Sequence, residues 1–345
     1  VKWFKSPKTT ALPAAPVSPV YAFWSWWAGS AKDQFAAAIA SGAWGDLPQK
    51  MSEHVHAIHP DLQWELSSGT RAQHTLCVTG AGTPELRPLS QRWKRAAPPE
   101  DPVWQYEPAR TRDATVEEAS LELDGHSLDL GQTVVDADLD EHRLRYNVVI
   151  HHPQFARMDE RQRQQFTFLV LDWALGEDDV ERWIGAIEAS VISPATGQSV
   201  TNFVETVDAL AAQPIEETWV MMQGQDPEGL PVMAMARRPL RWIDSPLLDL
   251  HNKVGLTYQA EPNGLPTGES LAWLRALEDS LVAAAGPGAE LLAHETHAGR
   301  RVLHVYSDSE DQNVTARIDE LVSATPGAAV DSSFDPAWRA VRHLA

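Results

Sequence analysis

Between Val254 and Asp331 the hydrophobic period switches from two to about 3.6 and back, twice, and this pattern restricts the fold more narrowly than any other in the chain. Val254, Leu256 and Tyr258 alternate as a strand with one buried face. Leu271, Leu274, Leu277 and Leu281 share one stripe of a helix spanning Glu269 to Ala284. Strands at Leu291 to Thr296 and Val302 to Tyr306 meet at Ala298-Gly299, a helix covers Val314 to Leu321, and Ala329 to Asp331 closes the series. The order is βαββαβ, that of a split βαβ, ferredoxin-like unit, without the strict βα alternation of a dinucleotide-binding domain. An extra hairpin, Trp219 to Gln223 and Pro231 to Arg237, precedes it.

The preceding residues predict a second α+β unit. A helical pair, Phe23 to Ala40 and Leu47 to Ile58, comes first, the latter stopped ahead of Pro60. Strands are expected at Gln63 to Leu66, His74 to Thr79, Val103 to Pro108, Leu144 to His151 and Trp183 to Ile192. Helices are expected at Pro84 to Lys94 and Arg161 to Leu175, with a hairpin near Leu121 to Leu130. From His74 onward this too reads as βαββαβ. Gln213-Pro214 marks the boundary, giving a disordered leader over 1–19, an N-terminal α+β domain over 20–212 and a C-terminal one over 215–345.

Charge and cysteine usage narrow the function classes. With 48 acidic against 28 basic side chains the formal charge is -20, which repels phosphate backbones and anionic lipid surfaces; nucleic acid and membrane are excluded as expected ligands, and a basic protein partner fits. A lone cysteine, Cys77, carries no disulfide framework, and the apolar patch Val20 to Ala28 is about half the length of a membrane span, so a cytoplasmic location is expected. Most of the 14 tryptophans are expected in packing, with some serving recognition.

Candidate chemistry is sparse. His54, His56 and His59 are spaced so that only two share a helix face, and His294-Glu295-Thr296-His297 has one residue too few between Glu295 and His297 for a helical zinc motif. If Ala298-Gly299 is a two-residue turn, His294 lies opposite Leu303 and His304 opposite Ala293, on opposite faces. No metal or cofactor is expected. His151 and His152, at a strand end, and Glu278, on the helix after Gly264-Leu265-Pro266, are the candidates for general acid and base work in an interdomain cleft.

Gly264-Leu265-Pro266, Leu274, Leu277-Glu278-Asp279, Leu281, Thr296, Gly299-Arg300, Tyr306 and Asp335-Pro336-Ala337-Trp338 together resemble the bacterial domain-of-unknown-function family numbered 695, which is associated with domains similar to the regulator of ribonuclease E activity B. The resemblance covers the last third of the chain. It implies a ferredoxin-like fold and carries over no catalytic residue. The expected function is therefore non-enzymatic binding or regulation of a basic partner, a toxin-neutralising immunity protein being one version. A hydrolase with a carboxylate and histidine site is the alternative.

Overall fold

A computed structural model of the chain describes residues 18–345, so the leader expected over 1–19 lies almost wholly outside the described residues. The described residues form a mixed α+β structure whose sheets are open, with four clusters of buried hydrophobic residues.

The first core is aromatic. Helix α1 (Pro19–Trp26) continues through a π-turn at Trp27–Ala31 into α2 (Lys32–Ser41), which Gly42 stops in the left-handed region at φ 73°. Helix α3 (Leu47–Ile58) follows, then β1 (Gln63–Ser68), β2 (His74–Thr79), α4 (Arg87–Arg95) and β3 (Trp104–Glu107). Trp24 stacks on Trp93 at 4.6 Å, and buried Trp27 donates its indole N–H to Tyr106 Oη at 3.0 Å. Strand β2 pairs antiparallel with β1 and parallel with β3.

That pairing corrects the single βαββαβ sheet expected from His74 onward. A strand has two edges, and both edges of β2 are occupied by β1 and β3. The later strands build a separate sheet around their own core. This part of the chain comprises β4 (Ser120–Leu123) and β5 (His126–Asp129), a two-stranded sheet of their own, then β6 (Val134–Asp140), β7 (Arg145–His151), α5 (Glu160–Leu175), α6 (Glu177–Trp183), β8 (Ile184–Ser190), β9 (Gln198–Ser199) and α7 (Val200–Ala211). The four-stranded sheet has the order β8-β7-β6-β9. Asp159 and Gln162 form a capping box at the start of α5.

The C-terminal elements share one six-stranded antiparallel sheet. They are β10 (Thr218–Gln225), β11 (Pro231–Arg238), β12 (Leu250–Thr257), α8 (Gly268–Ala285), β13 (Ala289–His297), β14 (Arg300–Ser307), α9 (Gln312–Ser323) and β15 (Ala328–Phe334), ordered β10-β11-β13-β14-β12-β15. Helices α8 and α9 cover one face through Leu274, Leu281 and Ile318 against Val254, Leu256, Leu303 and Val305. On the other face a short 3-10 turn, Arg339–Leu344, seats Val341 and Leu344 beside Trp338 and Tyr306. Among the described residues no helix is long and apolar enough to cross a membrane.

Arginines knit the units together. Arg87 holds Asp178 of α6 through two hydrogen bonds of 3.0 and 2.8 Å, Arg112 holds Asp179 at 3.0 Å, and Arg92 reaches Asp249 and Asp308 of the C-terminal unit.

Candidate functional site

Both histidines expected to act in a cleft are committed to backbone. His151 donates from Nδ1 to the Ser190 carbonyl at 2.9 Å. His152 is 1% exposed, donates from Nε2 to the Asp129 carbonyl at 3.0 Å and accepts from the Gln154 amide at 3.2 Å, so both of its ring nitrogens are used in shaping the chain after β7. Burial holds the His152 imidazole below its ordinary pKa. Neither ring is hydrogen-bonded to a carboxylate among the described residues. His54 stacks face to face on Trp26 at 4.0 Å, a packing contact. Among the described residues no three His, Cys, Asp or Glu side chains converge as metal ligands.

Glu278 lies elsewhere, at the floor of a groove in the C-terminal unit. The hairpin β10–β11 extends the sheet beyond α8, so the face on the helix side runs out from under its cover. Glu278 accepts from Arg301 Nη1 at 2.7 Å, and Arg301 Nε donates to Thr296 Oγ1 at 2.9 Å. This interior ion pair spends the Glu278 carboxylate on neutralising a guanidinium. The groove above it, about 870 Å³, is walled by Trp219, Met221, Met233 and Met235 on the sheet and by Leu271 and Val282 on α8. His294 sits at its base, burial and the nearby Arg301 pushing its pKa down to about 4.

The outer wall of the groove is an edge strand. Seven of the eight residues of β10 are exposed, including Trp219 at 44%, Val220 at 39% and Met221 at 63%. Its register with β11 runs without a bulge from Thr218 opposite Arg238 to Gln225 opposite Pro231, which leaves one straight row of unpaired backbone groups on the other side. Thr218 to Gln225 contains no proline and no charge, the usual protections of an open edge, whereas Glu216 and Glu217 precede it and Asp226 and Glu228 follow. Trp-Val-Met-Met read along a strand with apolar residues on both faces is a signal for this surface, but it reads equally as a buried strand.

A second polar cluster crosses the opposite face. His251 Nε2 lies 3.0 Å from His304 Nδ1, and His304 Nε2 lies 3.1 Å from Glu295 Oε1, on β12, β14 and β13 in turn. As expected from the Ala298-Gly299 turn, His294 pairs with Leu303 and His304 with Ala293, placing the two histidines on opposite faces.

No protein-family model matches this chain, and no curated protein matches it.

Proposed function

We propose that this chain is a regulatory protein-binding protein of the bacterial cytoplasm that accepts an extended segment of a basic partner as a seventh strand on β10. The observation that carries the reading is the edge itself: an uncharged, unbroken row of free backbone donors and acceptors bearing Trp219 and Met221. Backbone pairing supplies affinity in such additions, and side chains of the added strand supply specificity by packing beside the exposed tryptophan and methionines. Carboxylates at both ends favour a basic segment. They also oppose antiparallel self-pairing, which would set Glu216 and Glu217 against a second copy's Asp226 and Glu228. A toxin is one partner of this chemistry.

The reading includes a ferredoxin-like assignment for Leu250 to Phe334. The order β13-β14-β12-β15, with α8 and α9 as crossovers, supports it, as does the resemblance to family 695.

Affinity capture at physiological salt with the wild type and with a Val220→Lys/Met221→Lys variant tests the proposal. A basic protein lost by the variant, and slowed hydrogen exchange over 218–225 in the recovered complex, is the expected result. Equal recovery by both proteins, unchanged exchange at β10, or a self-associated chain as the sole species overturns it.

One observation favours the hydrolytic alternative: Glu295, His304 and His251 form a continuous carboxylate and imidazole chain beside an open groove with Lys253 and Arg300. Release of p-nitrophenolate from activated esters, abolished by His304→Gln, is its expected signature. Rates no higher than those of free imidazole remove it.

A further inference from the structure

Six arginines converge on a cleft where the three units meet. Arg143 and Arg145 come from the β6–β7 turn and β7, Arg238 from the end of β11 and Arg241 from the chain leaving it, and Arg339 and Arg342 from the C-terminal 3-10 turn; together they line a cavity of about 570 Å³. Asp140 and Glu181 are the only carboxylate side chains that line it among the described residues. A chain of formal charge -20 thus gathers a locally cationic site.

The ion pairs around the cleft leave charge uncompensated. Arg143 meets Asp140 at 3.3 Å, Arg145 meets Glu181 at 3.5 Å, and Arg339 meets Glu85. Arg241 meets Asp244 at 3.0 Å, but Asp244 also serves Arg182 at 2.6 Å. Arg238 and Arg342 have no carboxylate partner among the described residues, and Arg238 donates instead to the Leu344 carbonyl at 2.7 Å. Arg241 is 6% exposed, lies 4.7 Å over the Trp183 ring, and has a buried Nη1 without a hydrogen-bond partner; Nε of Arg238 is buried and unpartnered as well. Buried donors of this kind are costly to leave unmade, and a charged acceptor relieves the cost. Burial, with Arg143 near Arg238 and Arg182 near Arg241, holds both guanidinium groups below their ordinary pKa, the direction that a bound anion reverses.

We propose that this cleft binds a small multivalent oxyanion, a compound bearing phosphate or carboxylate groups, through the forks of Arg143, Arg238, Arg241 and Arg342. The volume falls in the range of small-ligand sites, roughly 300 to 1,000 Å³. The ligand bridges the second and third units, which supply the four arginines, while the first unit lines the cleft through Pro84 alone. It is a site separate from β10, and neither proposal depends on the other.

Titration calorimetry and thermal melting of the whole chain at low salt test this, with pyrophosphate and citrate as probes. Arg143→Ala/Arg342→Ala changes two exposed side chains, and Arg161→Ala is the charge control. Expected are a saturable one-to-one heat and a midpoint raised by about 5 °C at saturation. The double variant should bind at least about tenfold more weakly, the control should match wild type, and affinity should fall as salt rises. Binding of one probe alone identifies phosphate or carboxylate as the recognised group. Absence of heat with both probes, or equal binding by the double variant, overturns the site. So does a midpoint rise shared by all three proteins without binding heat, since that reports general exclusion of such anions from protein surfaces.

Discussion

Arg92 on α4 and Asp249 ahead of β12 form an ion pair sealed from solvent, Nη1 to Oδ2 at 2.9 Å, with side-chain exposures of 7% and 0%. Asp249 also accepts from the Ser309 amide at 2.8 Å and hydroxyl at 3.0 Å. Removing the guanidinium leaves a buried carboxylate without its counter-charge. Arg92→Met should therefore destabilise the chain by about 3–5 kcal/mol in urea denaturation. A loss under 1 kcal/mol, about the worth of a surface pair, would show that the contact is solvated in solution.

Acid should weaken the C-terminal unit through two histidines. Burial, and then the neighbouring His304, lowers His251 from 6.5 to about 4, and burial with Arg301 lowers His294 likewise. The unfolded chain binds more protons between those values, so their contribution is intact above 6.5 and is lost as pH falls toward 4. The slope approaches about 1.4 kcal/mol per pH unit for each ring. Urea midpoints between pH 7 and 5 should flatten in His251→Asn/His294→Asn, and an unchanged slope would assign the acid sensitivity elsewhere.

The closing anchor carries measurable stability. Trp338 is 3% exposed, donates from Nε1 to the Leu248 carbonyl at 2.8 Å and packs on Tyr306 at 5.4 Å. Trp338→Ala should cost about 3–5 kcal/mol. Tyr306→Phe removes only the 2.7 Å hydrogen bond to Asp335, which keeps the Arg339 and Ala340 amides at 2.9 Å each, so about 1–2 kcal/mol is expected. Equal losses in chemical denaturation would contradict this ranking.

Gly176 joins α5 to α6 at φ 82°, and a Cβ there would lie 2.8 Å from the Arg110 carbonyl and 3.0 Å from the Arg112 amide. Gly176→Ala should lower stability by about 2–3 kcal/mol, since left-handed strain and a backbone clash add. A melting point within 1 °C of wild type would mean that the connection relaxes freely.

Local order was legible in the sequence where periodicity is strong. The elements from Val254 onward and the β13–β14 register follow from side-chain spacing and turn chemistry. Pairing was less legible. Nothing local states that β2 takes β3 as its parallel neighbour and so excludes β7, and α6 hides as a short acidic run between Gly176 and Ile184. The candidate surfaces divide the same way. Glu278 was visible as a helix carboxylate, but its partner Arg301 is fixed by the sheet, and the arginine cleft assembles from segments near 143, 238 and 340 that only the tertiary fold brings together.

The contacts of Arg92 set an order on synthesis. Asp249 and Asp308 follow it by 157 and 216 positions, and its third acidic partner, Glu310, comes later still, so the ribosome delivers α4 long before any of these counter-charges exists. The guanidinium points away from the aromatic core toward the C-terminal unit, so its seal forms only when the last sheet arrives. Until Asp249 is made that guanidinium has only water for company, so the sealed pair can exist only in a chain whose C-terminal sheet has folded.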